Sequence, residues 1–105
     1  ELFDIKQDPG GLVDVEFIVQ YLILGHAHAH ERLCGNLGNI ALLRIAAELG
    51  LIPQDLAEPV RDIYREYRRT QHALRFDGIT SNQVERDAWT RQIETVRKLW
   101  TLVFF

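Results

Sequence analysis

The sequence contains no methionine and only one cysteine, Cys34, among its 105 residues. A single cysteine excludes a disulfide within the chain and is typical of proteins from a reducing cytoplasm. No charged leader precedes an apolar stretch, so a secretory signal peptide is not indicated. Together with the missing methionine, these features predict a cytoplasmic segment cut from a longer protein.

Long apolar runs and an excess of basic charge are also missing. The longest apolar run, residues 17–25, is interrupted by Gln20 and is too short to cross a bilayer. The formal net charge of −3 argues against unspecific binding of nucleic acid. With 47% apolar residues and no repeat, the chain can bury one modest core, so we expect a single domain without membrane or nucleic-acid partners.

Hydrophobic spacing predicts four helices, and the first of them, over residues 12–30, is apolar on two sides. One stripe consists of Val15, Ile18, Val19 and Leu22. The other stripe consists of Phe17, Tyr21 and Leu24. Because a helix that is apolar on two sides is normally covered on two sides, we expect the second stripe to meet another domain or a second copy of the chain.

The second and third helices have recognisable ends. The second begins near Asn36 or Asn39, either of which can cap it, and stops at Gly50. The third opens at Pro53, and Pro59 predicts a kink or a fresh helix start. Its predicted bundle seam consists of Leu56, Val60, Ile63, Tyr67 and Leu74.

The fourth helix is predicted to follow Ser81 or Asn82 as its cap and to run nearly to the end of the chain. Its expected inward residues are Val84, Ala88, Val96, Leu99 and Val103. The predicted fold is therefore all-α, with an antiparallel bundle of about four helices over residues 12–105.

The first eleven residues follow a different pattern. Leu2, Phe3 and Ile5 predict a short extended segment, which ends in the turn-forming residues 8–11. Since a lone strand cannot pair with itself, we expect residues 1–11 to be an orphan strand and a Gly-Gly turn of an upstream domain, loosely attached to the bundle.

This segment also contains a candidate functional corner, formed by Lys6, Gly10, Gly11, Asp14 and Glu16. A Gly-Gly pair lets a polyphosphate approach the backbone, and the start of a helix favours an anion. Spacing alone favours the structural alternative, in which the glycines make a tight turn, Asp14 caps the helix or places negative charge in its first turn, and Lys6 is solvated.

Two further groups of side chains have alternative interpretations. His26, His28 and His30 alternate near a predicted helix end, with Glu31 and Cys34 close behind. The spacing of the outer histidines suits a metal, but structural zinc needs four ligands and no closed set is visible. The pattern therefore favours histidines placed at a helix C-terminus, with no metal site.

The third predicted helix displays a basic stripe along one face. Its members are Arg61, Arg65, Arg68, His72 and Arg75. Solvation, with Asp62 and Glu66 as nearby partners, explains most such faces. The functional alternative is contact with phosphate or with an acidic partner surface.

The N-terminal region contains the motifs Phe3-Asp4-Ile5-Lys6, Gly10-Gly11 and Asp14-Val15-Glu16-Phe17. Together these motifs resemble the signature of bacterial glutamine synthetase adenylyltransferase. The resemblance continues at Asn39-Ile40, Leu42-Leu43, Tyr64, Arg68, His72 and Leu74. In that family, each half of the protein combines a nucleotidyltransferase domain, which bears a Gly-x-Ser-Asp-x-Asp metal motif, with a helical bundle that begins at this signature.

The chain has no Gly-x-Ser-Asp-x-Asp motif. Val13-Asp14 and His72 are similar to the C-terminal, adenylylating half of the family, so the resemblance implies the bundle that follows the nucleotidyltransferase domain of that half. Gln71 and Arg75 depart from the Glu and Gln that the family often has at these positions.

The resemblance implies a bifunctional parent enzyme that adenylylates and deadenylylates glutamine synthetase to regulate nitrogen assimilation. It would transfer AMP from ATP to a tyrosine, with Mg²⁺ held by upstream carboxylates. This segment alone would be inactive, and Lys6, Gly10, Gly11, Asp14 and Glu16 would lie at the edge of the nucleotide site. The implied partners are glutamine synthetase, the upstream nucleotidyltransferase domain and, as a further candidate, a PII-type regulator. A stand-alone interaction module and a histidine-based metal-binding bundle are the alternatives.

Overall fold

The computed structural model describes residues 1–35 and 37–105. Asn36, one of the two proposed caps, lies outside the described residues. The regular elements are β1 (Leu2–Asp4), α1 (Leu12–His26), α2 (Asn39–Glu48), α3 (Gln54–Phe76), β2 (Gln83–Glu85) and α4 (Thr90–Phe104). Over the described part of the chain, this confirms the all-α fold with four helices, in which α3 packs against the other three.

The core follows the predicted hydrophobic periods. The first stripe of α1 is buried, and its buried residues are Leu12, Val15, Ile18, Val19 and Leu22. The α3 seam is buried at Val60, Ile63 and Tyr67. The helix α1 ends at His26, four residues earlier than predicted. Within the described residues, no helix combines the length and the apolar character that spanning a bilayer requires.

Two predicted helix ends are confirmed, and one predicted interruption is wrong. Gly50 follows α2 with a φ of +79°, the left-handed conformation expected of a helix terminator. Pro53 directly precedes α3. The fresh start predicted at Pro59 does not occur, because α3 is continuous from Gln54 to Phe76. Pro59 lies near the start of the helix, where it leaves only the carbonyl of the exposed Asp55 without an amide partner.

The start of the fourth helix was predicted wrongly. The helix α4 begins at Thr90, whereas residues 83–85 form β2 and residues 86–89 form a 3₁₀ turn. Ala88 is exposed and does not face the core. The reason is a long-range contact. β1 offers an unpaired strand edge, and pairing of residues 83–85 with it outweighs their helical preference.

The N-terminal segment is neither orphaned nor loosely attached, so both expectations are wrong. β1 pairs antiparallel with β2, with Phe3 opposite Val84, and the Ile5 amide donates to the Asn82 carbonyl at 2.9 Å. Phe3 and Ile5 are fully buried in the core of the bundle. Residues 1–11 therefore pack as part of this domain, and a domain boundary at residue 11 stays a prediction.

Candidate functional site

A tight turn connects β1 to α1. The Asp4 carboxylate accepts hydrogen bonds from the amides of Lys6 and Gln7 at 2.9 and 2.8 Å. The Asp8 carboxylate accepts one from the Asp4 amide at 2.9 Å. Aspartate side chains that bind nearby amides in this way mimic a backbone turn. Two carboxylates of the turn are thus used to fix its shape.

Gly10 and Gly11 are both required by close packing. Gly10 has a φ of +90°, and a Cβ there would lie 2.8 Å from Cγ2 of Ile93. A Cβ on Gly11 would lie 2.3 Å from the carbonyl oxygen of Ile5. Residues with a side chain rarely adopt the positive φ of Gly10, and the carbonyl oxygen of Ile5 blocks a Cβ on Gly11. The glycine pair therefore lets α1 start directly against β1 and α4.

The amides at this corner donate to groups within the chain. The Gly10 amide donates to Oδ2 of Asp14 at 2.7 Å. The next three amides, at residues 11, 12 and 13, donate to the carbonyls of Asp8, Ile5 and Lys6 at 2.9, 2.7 and 3.0 Å. A helix start binds phosphate through free amides, and these four are occupied. Their arrangement matches the structural alternative, in which the glycines make a strand-to-helix turn and Asp14 fixes it.

The two acids of the signature point to different neighbours. The Asp14 carboxylate is 13% exposed and lies 3.4 Å from Nη1 of Arg97 on α4. Oε2 of Glu16 accepts a hydrogen bond from the Tyr64 hydroxyl of α3 at 3.0 Å. Residues two apart on a helix project in nearly opposite directions. The structure therefore does not bring Asp14 and Glu16 together as a carboxylate pair.

Lys6 is exposed at this turn, and its backbone carbonyl accepts a hydrogen bond from the Val13 amide. Among the described residues, its ammonium forms no ion pair. Asp14 and Glu16 both have partners within the fold, whereas the Lys6 ammonium forms neither a hydrogen bond nor an ion pair with the described residues.

The buried hydroxyl of Tyr67 joins α3 to the glycine corner. It donates to the carbonyl oxygen of Gly10 at 2.8 Å. Burial raises the pKa of Tyr67, with further contributions from the charges of Glu66 and Asp14. Tyr67 therefore stays a neutral hydrogen-bond donor. The sequence pattern identified Tyr67 as a seam residue but contained no sign of this bond, which spans 57 positions.

A polar cluster around Tyr64 connects three helices. Its hydroxyl accepts a hydrogen bond from Nδ2 of Asn39 at 3.0 Å and donates to Glu16. Nη1 of Arg68 is 3.4 Å from the same oxygen. One donor and two acceptor positions are all that a hydroxyl offers, so Tyr64 is fully used. Glu16 and Arg68, predicted for separate sites, thus meet at one side chain.

Asn39 was expected to cap α2, and this expectation is wrong. Asn39 is the first helical residue, and the cap position belongs to Gly38. The side chain of Asn39 instead reaches across to α3.

The basic stripe of α3 does not act as one unit. Arg65 pairs with Asp62 at 2.8 Å. Arg75 binds the loop before β2, donating to the carbonyls of Ile79 and Ser81 at 2.7 and 2.9 Å and to the Asn82 side chain. Nε of Arg61 is buried and, within the described residues, has no hydrogen-bond partner. The middle of the stripe, Arg68 and His72, remains at the surface.

The histidine group provides little support for a metal site. The rings of His26 and His30 have centroids 6.5 Å apart. Sγ of Cys34 lies 3.3 Å from the carbonyl oxygen of Ala27. Over residues 1–35 and 37–105, no three histidine, cysteine or acidic side chains lie together in a metal-binding group. The described residues therefore contain no preformed group of the size that structural zinc requires.

Comparison with known proteins gives a match along nearly the whole chain. Residues 2–100 match the family model described as GlnD PII-uridylyltransferase. The chain is 59% identical over 104 residues to the bifunctional glutamine synthetase adenylyltransferase/adenylyl-removing enzyme of Aromatoleum aromaticum. The aligned residues are 99% of the chain and 11% of the relative. It is 52% identical over 103 residues to the protein of that name from Bordetella bronchiseptica, covering 98% of the chain and 11% of the relative.

A third relative with the same name, from Nitrosomonas europaea, is 61% identical over 77 residues, which are 73% of the chain and 8% of the relative. The chain thus spans about one tenth of the length of these curated relatives. It belongs to the GlnD PII-uridylyltransferase family, and its resemblance to bacterial glutamine synthetase adenylyltransferase is confirmed.

Proposed function

We propose that this chain is the helical domain of a bifunctional glutamine synthetase adenylyltransferase/adenylyl-removing enzyme. The observation that carries this proposal is the identity along the whole chain to proteins named for that activity. Val13-Asp14 and His72 support a place in the C-terminal, adenylylating half.

The proposed reaction transfers AMP from ATP to a tyrosine hydroxyl of glutamine synthetase. The hydroxyl oxygen bonds to the α-phosphorus, the bond to the pyrophosphate breaks, and the hydroxyl proton is released. When bound by carboxylates, Mg²⁺ orients the triphosphate and neutralises its charge. The described residues do not offer such a carboxylate set, so the proposal assigns ATP and Mg²⁺ to another part of the longer protein.

This chain would contribute a rigid wall beside the nucleotide site. Tyr67 on α3 and Asp14 on α1 both form hydrogen bonds with Gly10. These contacts fix the turn and therefore the position from which the Lys6 side chain projects. An exposed ammonium at a rigid turn is suited to contact a phosphate of the substrate as a point charge. Gly10, Gly11, Asp14 and Glu16 would then support the edge of the site from within the fold.

The names of the family and of the relatives differ in both nucleotide and protein target. What they share is nucleotidyl transfer to a protein. Glutamine synthetase follows from the names of the relatives, whereas a PII-type protein is a second candidate partner, suggested by the family's name. Contact with an upstream nucleotidyltransferase domain and a cytoplasmic location complete the proposal.

The test compares the 105-residue chain with the longer enzyme. Incorporation of labelled AMP into glutamine synthetase is measured with ATP and Mg²⁺ present. We expect transfer by the longer enzyme and none by the chain alone, whose folding is checked by circular dichroism. AMP transfer by the chain alone would show that the reacting groups lie within these residues and would refute the proposed division of roles.

A further inference from the structure

An open groove on the outer face of α3 is lined by basic side chains. Its lining residues are Arg68, Arg69, His72, Ala73, Phe76 and Asp77. We refer to Arg68, Arg69 and His72 as the basic patch. Within the described part of the chain, none of the three forms an ion pair with a carboxylate.

Several other arginines of the described residues do form ion pairs, unlike those of the basic patch. Arg65 pairs with Asp62, Arg97 pairs with Asp14, and Arg32 and Arg44 share Glu48. Within residues 1–35 and 37–105, Arg68 contacts the Tyr64 hydroxyl, at 3.4 Å, and the face of the Tyr64 ring, at 6.0 Å. On a chain of net charge −3, Arg68 and Arg69 form a local field of the opposite sign.

The shape of the groove favours a protein partner over a free phosphate. Phosphate sites usually surround the anion with converging donors, often backbone amides. Here the cations project from one convex helix, whose amides donate along the helix itself.

Phe76 adds an apolar anchor beside these charges. It is 87% exposed and closes α3 next to the basic patch. Exposed aromatic and arginine side chains are enriched in protein interfaces, where a few of them supply most of the binding energy. A free polyphosphate has no group that would cover Phe76, whereas a protein surface can.

We propose that the basic patch and Phe76 form a docking surface for an acidic protein surface, whose carboxylates face Arg69 and His72 and whose apolar residues cover Phe76. The inference deepens the proposed function and rests on it only in naming glutamine synthetase as the protein to test. Charge complementarity would then bring the target protein to the outer face of α3.

The first experiment does not depend on the proposed function. Fluorescently labelled poly-L-glutamate is titrated with the chain, and with Arg69→Glu and Lys98→Glu. Both substitutions change the charge equally, and Lys98 is an exposed residue of α4. We expect Arg69→Glu to weaken binding about tenfold, Lys98→Glu to weaken it less than about twofold, and wild-type binding to weaken in high salt. Equal losses in both variants, tighter binding of tripolyphosphate at the patch, or no binding of poly-L-glutamate would overturn the proposal.

The second experiment uses the longer enzyme and measures both substrates. Arg69→Glu and Phe76→Ser should each raise the KM for glutamine synthetase about tenfold and leave kcat and the KM for ATP unchanged. A rise in the KM for ATP would replace the proposal with a nucleotide site, and an unchanged KM for glutamine synthetase would refute docking. If the wild-type longer enzyme did not adenylylate glutamine synthetase, the proposed function would fail, and the poly-L-glutamate titration would still decide on the basic patch.

Discussion

The hydroxyl of Tyr67 and the carbonyl oxygen of Gly10 are 2.8 Å apart in the core, although 57 positions separate them in the sequence. This bond attaches the longest helix to the turn that carries the family signature. The position of that turn therefore depends on the packing of α3.

Removing this hydroxyl should destabilise the fold. Tyr67→Phe leaves the buried Gly10 carbonyl without its partner, which typically costs about 1–3 kcal/mol. Urea unfolding should show this loss, while Tyr21→Phe, at a half-exposed ring, should change the free energy of unfolding by less than about 0.5 kcal/mol. Equal effects of the two substitutions would mean that the buried hydrogen bond contributes nothing specific.

The raised pKa of Tyr67 predicts a loss of stability in alkali. An unfolded tyrosine releases its proton near pH 10, whereas burial keeps Tyr67 protonated in the fold. Above about pH 10 the unfolded state therefore binds fewer protons than the folded state, and the free energy of unfolding falls as the pH rises. Below that pH both states are protonated, and Tyr67 adds no pH dependence.

The same Tyr67→Phe variant tests the alkaline effect. Its stability gap to the wild type should narrow between pH 9 and about pH 11, because the variant lacks the group that titrates. Urea unfolding at several pH values measures the gap. A gap that stayed constant across this range would show that folding does not raise the pKa of Tyr67.

The glycine corner should tolerate no side chain. Gly11→Ala places a Cβ against the Ile5 carbonyl oxygen, a backbone atom that cannot move away without shifting β1. We expect a loss of about 3 kcal/mol or more in the free energy of unfolding, typical of strained backbone positions in a core. Gly25→Ala is the matched control, since a Cβ there meets nothing within 4 Å and alanine favours a helix by about 0.5–1 kcal/mol. Comparable losses at both positions would refute the close approach at Gly11.

The second apolar stripe of α1 is partly exposed in this chain, as expected of a surface that meets another domain or a second copy. Phe17, Tyr21 and Leu24 are 56, 51 and 81% exposed and lie in one groove with Trp100 and Phe104 of α4. Self-association through this surface is the remaining part of that prediction. Sedimentation velocity at rising concentration should detect it.

Leu24→Glu is the variant that tests this association, since it places a charge in the most exposed part of the groove. It should abolish the concentration dependence, and Ile79→Glu, at a half-exposed loop residue outside the groove, should preserve it. A wild-type chain that sediments as a monomer at all concentrations would contradict the prediction.

The fold could be predicted where local periodicity decides it. The buried stripe of α1, the α3 seam and the terminator Gly50 all follow from spacing or residue type. β2 could not be predicted, because residues 83–85 are extended only by virtue of their pairing with β1, about 80 positions earlier.

The residues of the candidate corner could be named from the sequence, but their partners in the fold could not. The signature identified Asp14 and Glu16, but their partners Arg97 and Tyr64 lie 83 and 48 positions away. Residues two apart on a helix project in different directions, so Asp14 and Glu16 reach different partners. Lys6 is the corner residue for which the structure leaves the functional interpretation open to experiment.

The rate of AMP transfer by the longer enzyme carrying Lys6→Ala tests whether this chain borders the nucleotide site. We predict a rate lower by on the order of tenfold, through the loss of a phosphate contact, with unchanged helical content by circular dichroism. Lys98→Ala, at the chain's other lysine, should leave the rate unchanged, and Asp14→Ala should lower it by loosening the turn that presents Lys6. Wild-type transfer rates in both Lys6→Ala and Asp14→Ala would show that the signature is a structural hinge and would contradict its place at the edge of the nucleotide site.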